Sequence, residues 1–254
     1  MEVLRSAARS VRALPLVVAL ACGSSGTPMG PEAALPAFST HSSDHFTVRY
    51  TALDTATVAD TATTLDGHSA RITGDLGVTS QPRVTVTLHG DRASLQEAVR
   101  PTVGTLPSFA SGLVTGPDSI HILSPNLIGQ WPYATAVTAL VHEFAHCVSL
   151  TLNPSFGNRP RWLWESVALY EAGQRTDVRS LPLVVANRPP AIAELNALDN
   201  LLIYDVGHSL ADFIVTGFGQ QSLRDLIRTN GNTQSVLGLS EEQFLVRWLA
   251  FARQ

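Results

Sequence analysis

"LVHEFAHCVSL", Leu140 to Leu150, sets two histidines four residues apart, a glutamate after the first, and apolar residues all around. Pro132 stands where a helix can start, and Pro154 just beyond where it must stop. In such a helix His142 and His146 lie one turn apart on one face. Two imidazoles so placed can bind one tetrahedral zinc ion at about 2.0–2.1 Å each. Glu143 lies about 100° further round the axis, off the histidines' line but within reach of a water on the metal. The same short pattern also arises by chance in core helices, so the next helix has to decide.

"RWLWESVALYEAG", Arg161 to Gly173, begins after Pro160 and ends at a glycine. Leu163, Val167 and Tyr170, or their neighbours, form its buried face. Glu165 stands in apolar company, where a carboxylate is costly to bury unless it is paired or bound to metal. His146 lies about six residues before the end of the first helix and Glu165 about four after the start of the second. At about 1.5 Å per residue those depths are roughly 9 and 6 Å from the connection. If the helices pair antiparallel across the Asn153–Pro160 loop, the two residues come nearly level. Glu165 can then complete a His-His-Glu set with a fourth position open for water.

His142-Glu143-Phe144-Ala145-His146, eighteen intervening residues, then Glu165 in "WLWESVALYEA" resembles the gluzincin metallopeptidases, and most of all the small bacterial peptidase-MA-like domains. The resemblance spans about residues 44–250. It implies a zincin-like fold and a zinc-dependent peptidase with one zinc ion per chain. The implied ligands are His142, His146 and Glu165, and the implied general base is Glu143. Two departures stand out. Leu169 occupies the place, four residues after Glu165, where some gluzincins carry an acid that supports a ligand histidine, and Ser166 replaces a common glycine. The strand "SGLVTG" lacks the acid with which zinc aminopeptidases hold a free amine, which argues against that activity.

A zinc hydrolase also needs a donor to the tetrahedral oxyanion. In "NLLIYDVGHSLADFIVTGFG", Val206, Leu210, Phe213 and Ile214 make a core face, and Tyr204 and His208 lie on the other. Either can be that donor, and either can simply face solvent. Gly112, Leu113 and Val114 lie on a candidate edge strand that could take an extended peptide as an added strand; a plain hairpin would read the same way. Cys147 reads as a small packing residue rather than a ligand or nucleophile. His41, His45, His68, His89 and His121 receive no role.

Outward from this centre the first half of the chain is mixed. "HFTVRYTA" and "RVTVTLHG" alternate apolar and polar, as half-buried strands do. Thr55–Gly77 is a helix candidate with Val58, Ala62, Leu65, Ala70 and Ile72 on one face and Gly77 as its stop. A short helix starts at the Asp91 cap. "SGLVTG" and "SIHILS", separated by "PD", read as a tight hairpin. From Pro132 onward the chain reads as helix. The expected fold is α+β: a small mixed or antiparallel sheet subdomain (44–131), then a mostly helical zinc-binding subdomain (132–254), with the active helix between them.

At the N-terminus three arginines precede the apolar run Ala13–Ala21, which is too short for a membrane span and is followed by Cys22 and a Gly/Ser stretch. This resembles a bacterial lipoprotein signal peptide (1–22) with Cys22 as the lipidation position. Residues 23–43 would be a flexible tether and the protein a lipid-anchored resident of the cell envelope; an ordinary secretory signal is the other reading. Residues 1–22 carry three arginines and one glutamate, so their removal shifts the charge from −4 to −6. No basic patch stands out, so nucleic acid is not an expected partner; the partners expected are a peptide or protein substrate and the membrane. Two other functions stay open: a catalytically silent zinc-binding or scaffold lipoprotein, and a zinc hydrolase of a non-peptide amide. Retention of Glu143, which metal binding alone does not need, argues against the first.

Overall fold

The computed structural model describes residues 37–127 and 132–254. The expected signal peptide, Cys22 and most of the tether lie outside the described residues. The elements run β1 (Ser39–Ser42), β2 (Phe46–Tyr50), α1 (Val58–Leu76), β3 (Val84–His89), α2 (Arg92–Val103), β4 (Gly112–Gly116) and β5 (Ser119–Leu123). Helices follow: α3 (Tyr133–Leu152), α4 (Arg161–Glu171), α5 (Pro182–Val185), α6 (Ile192–Asn196) and α7 (Leu202–Phe218). The last three are α8 (Gln220–Arg228), α9 (Thr233–Leu237) and α10 (Glu241–Ala252). The α+β class is as the sequence indicates.

The sheet is mixed, in the order β1-β2-β3-β5-β4. β2, β3 and β5 are parallel, while β1 and β4 run antiparallel to their neighbours at the two edges. The period-two pattern sets the buried face: Phe46 and Val48 on β2, Val84, Val86 and Leu88 on β3, and Ile120 and Ile122 on β5. Helix α1 packs Val58, Ala62, Leu65, Ile72 and Leu76 inward, and Gly77 ends it in the left-handed conformation at φ 68°. Ala70, expected on that face, is exposed, and Ser69 takes the inward place. The 3.6-residue period, continued from Leu65 to Ile72, brings 69 rather than 70 onto the core side.

A second correction concerns the tether. Ser39–Ser42, read as its last part, is the edge strand β1, paired Ser39 to Tyr50 and Ser42 to Thr47. Backbone hydrogen bonds hold it, with little side-chain burial, so its polar sequence carries no strand pattern.

One hydrophobic core joins the sheet to the helices, running from Phe46 and Leu65 through Leu140 and Phe144 to Leu210 and Trp248. The described residues form one compact unit. The change expected near residue 131 is therefore one of secondary structure: among the described residues no strand follows Leu123. Helix α3 is buried almost all round from Val137 to Ser149. It is apolar and long enough to cross a membrane by composition, but here the length and apolarity reflect packing on several sides. Helix α7 approaches α4 closely because residue 207 is glycine: a Cβ there would lie 2.6 Å from Leu169 Cδ1 and 3.3 Å from Ser166 Cα. Ser166 is thus a small residue at a helix crossing.

Candidate metal centre

The antiparallel pairing of α3 and α4 brings His142, His146 and Glu165 together, all three buried, with one potential ligand atom from each within 4.8 Å of the others. Glu165 Oε2 lies 3.3 Å from His142 Nε2 and 3.9 Å from His146 Nε2. Donors about 2.0–2.1 Å from a tetrahedral ion stand about 3.4 Å apart, so the spacing fits a metal after small side-chain shifts. Glu165 Oε2 has no well-formed hydrogen bond among the described residues and faces only the two imidazole Nε2 atoms. A buried carboxylate oxygen left without a donor is costly. A cation at the focus of the three side chains would satisfy it, and the donor set of two imidazoles and a carboxylate suits one. This group can hold a metal ion.

Two different devices orient the histidines. His142 Nδ1–H donates to Gln174 Oε1 at 2.8 Å, which in the neutral imidazole leaves Nε2 with its lone pair toward Glu165. The His146 ring stacks flat on Trp164, 4.0 Å between centroids and 4° between planes. Its Nδ1 is buried without a partner among the described residues. The sequence shows no partner for His142 at Leu169, one turn after Glu165, because that residue is apolar.

Burial disfavours a charged His142, but the facing Glu165, with Glu143 adding, outweighs it and raises the imidazole above its usual range. Burial, reinforced by His142, drives His146 well below that range. Burial lifts Glu143 from 4.5 to about 7, with Glu165 adding and His142 opposing. A carboxyl poised near neutrality, on the helix that carries both histidines, is placed for proton transfer.

Glu143 and Cys147 lie one turn apart on α3, and Cys147 is fully buried, its Sγ 3.6 Å from Gly116 O of β4. This face of α3 therefore lies along the edge strand. Gly112, Leu113 and Val114 are on that strand, all partly exposed. Gly112 has a packing reason of its own: a Cβ would stand 2.7 Å from Ile122 Cγ1 and 3.0 Å from His121 O.

Tyr204 is half-buried at the start of α7. Burial raises its phenol, the charges of Glu165 and Glu143 add to the rise, and Arg161 opposes it. The Arg161 guanidinium stands 5.4 Å from the Tyr204 ring centre. Its Nη1 donates to Ala197 O at 2.6 Å and Asn200 O at 2.8 Å, tying the segment before α7 to the start of α4. Phe109 packs edge-on against Tyr204 at 6.3 Å. His208 is buried one turn further along α7, and its hydrogen bond is from Arg175 Nε at 3.2 Å. Burial and Arg175 both lower its imidazole. Of the two expected oxyanion donors, Tyr204 packs beside Arg161, one turn before Glu165 on α4, while His208 packs beside Arg175, beyond the end of that helix.

A scan against protein-family models matches none, and searches of curated proteins and of solved structures return no match.

Proposed function

We propose that this chain is a zinc-dependent peptidase of gluzincin type, with His142, His146 and Glu165 holding one zinc ion and Glu143 as general base. The observation that carries the reading is the convergence of three buried donors, one of them a carboxylate oxygen that faces only the two imidazoles, with a fourth group, Glu143, raised to about 7 on the same helix as the histidines. A site for metal binding alone has no use for Glu143. The motif likeness to peptidase-MA-like domains, and an edge strand lying along the histidine helix, support the same reading and a zincin-like arrangement.

Zinc, when bound, supplies a Lewis acid that acidifies water and polarises a carbonyl. The protein's own groups do the rest. Glu143 accepts the proton of the attacking water on its carboxylate and delivers it to the nitrogen of the leaving amine. The free edge of β4 holds the substrate extended by backbone hydrogen bonds, with Gly112, Leu113 and Val114 as the pairing segment. Tyr204 donates its O–H to the oxygen that gains charge in the transition state. Arg161 and the segment it ties down keep that phenol in place. The N-terminal segment supports export and lipid anchoring at Cys22 in a bacterial envelope, which would present the domain to peptide or protein substrates there.

The test is zinc quantification on residues 38–254, paired with an unbiased peptide-library cleavage assay. One zinc per chain and cleavage are expected in the wild type, and loss of both in Glu165→Ala. Full zinc content in Glu165→Ala would remove it as a ligand. Zinc without cleavage of any peptide would refute the peptidase reading.

A further inference from the structure

We propose that Gln174 is the positioning residue for His142, delivered by the turn that ends α4 and latched to α7 through Arg175 and His208. The inference rests on the metal-binding reading above and adds to it a residue that no sequence motif marks. Helix α4 offers His142 no polar partner of its own at Leu169. Instead the chain reverses at Gly173, which adopts φ 66°. The Gln174 amide donates back to Leu169 O at 2.9 Å. This αL turn, which favours glycine, carries the Gln174 side chain back over the helix to His142, 2.8 Å from Nδ1.

An amide oxygen only accepts. A neutral imidazole has one N–H, so the bond to Gln174 puts the proton on Nδ1 and frees Nε2 to bind a cation. The same bond fixes the ring's rotation, as outer partners of metal-ligating histidines do. His146, with no partner at Nδ1 among the described residues, relies on the Trp164 stack instead. The next residue secures the turn: Arg175 Nε donates to His208 Nε2 at 3.2 Å. Buried His208 thus serves as the anchor of the segment that carries Gln174, which accounts for its burial without a place at the reacting atoms. Gln174 is neutral, so it orients His142 without adding negative charge near the metal.

The experiment measures zinc affinity of residues 38–254 by competition with a chelating dye, together with the visible absorption of the cobalt-substituted protein. Gln174→Met keeps the volume and removes the acceptor. It is expected to weaken zinc binding by about 10–100-fold, the usual effect of losing such a partner, and to alter the cobalt bands. Gln174→Glu restores an acceptor and is expected to bind zinc at least as tightly as wild type. Wild-type affinity in Gln174→Met overturns the assignment, and so does Gln174→Glu binding as weakly as Gln174→Met. If Gln174→Met does not fold, Gln174→Glu decides, because weakened binding there contradicts the role. Absence of zinc binding in the wild type itself would refute the metal-binding reading, and the assignment with it, whereas failure confined to the variants refutes the assignment alone.

Discussion

In the metal-free protein, Glu143→Gln is expected to stabilise the fold above pH 7 and to leave it nearly unchanged at pH 4.5. Burial, with Glu165 adding, lifts the Glu143 carboxyl from 4.5 to about 7 against the pull of His142. Between those two pH values the folded protein keeps a proton that the unfolded chain releases. The stability this group contributes is complete below pH 4.5, declines as the pH rises, and is lost above about 7. At about 1.4 kcal/mol for each tenfold change in acidity, the loss amounts to about 3 kcal/mol. The amide of E143Q has no charge to bury and suffers no such loss; it also withdraws the smaller help that Glu143 gives a charged His142, which works in the opposite direction. Urea unfolding after chelator treatment, at several pH values from 4.5 to 8, measures the difference. With a denaturant slope of about 1–3 kcal/mol/M, the two midpoints should part by about 1 M or more at pH 8. A difference that does not vary with pH, or a variant less stable than wild type at pH 8, would refute the reasoning. The outcome bears on the proposed function, because a carboxylate that lowers stability fits a catalytic role better than a packing one.

Three further outcomes are expected. In the zinc-loaded protein, Tyr204→Phe should lower kcat by roughly 10²–10³-fold with a smaller change in KM and unchanged zinc content, the scale for one oxyanion donor; near wild-type turnover would exclude that role. Gly112→Ala drives a Cβ against Ile122 and the His121 carbonyl. It should cost about 1–3 kcal/mol by the overpacking scale, measured by urea unfolding, and no loss would mean that β4 can shift freely from β5. Cys22→Ser should abolish acyl labelling in a bacterial host and release the protein from membranes, and a wild type without acyl label would end the lipoprotein proposal.

Several parts of the fold were legible because their causes are local. The helix-bounding prolines, the burial of α3, the Gly77 stop and the tight β4–β5 hairpin all follow from residue types within a few positions. The level pairing of His146 and Glu165 followed from helix rise and a short loop, and their 3.9 Å approach bears it out. Ala70 failed because a seven-residue step from Leu65 to Ile72 tolerates two choices between them, and packing against the sheet selects Ser69. β1 was missed because a short edge strand can be held by its neighbour's backbone alone.

The sequence by itself determined the α+β class, the two helices of the centre, and the identity of three residues able to hold a metal with an acid beside two of them. Those depend on periodicity and on the chemistry of side chains one turn apart. Tertiary structure alone decided that Gln174 meets His142 across 32 residues of chain, and that Trp164 supports His146. It also set Tyr204 beside Arg161 and His208 beside Arg175, and bound Arg161 to the carbonyls before α7. Each is a contact between segments whose relative position is set by burial of a shared core. No pattern of neighbouring residues encodes such a contact, since its partners meet only after the helices have packed.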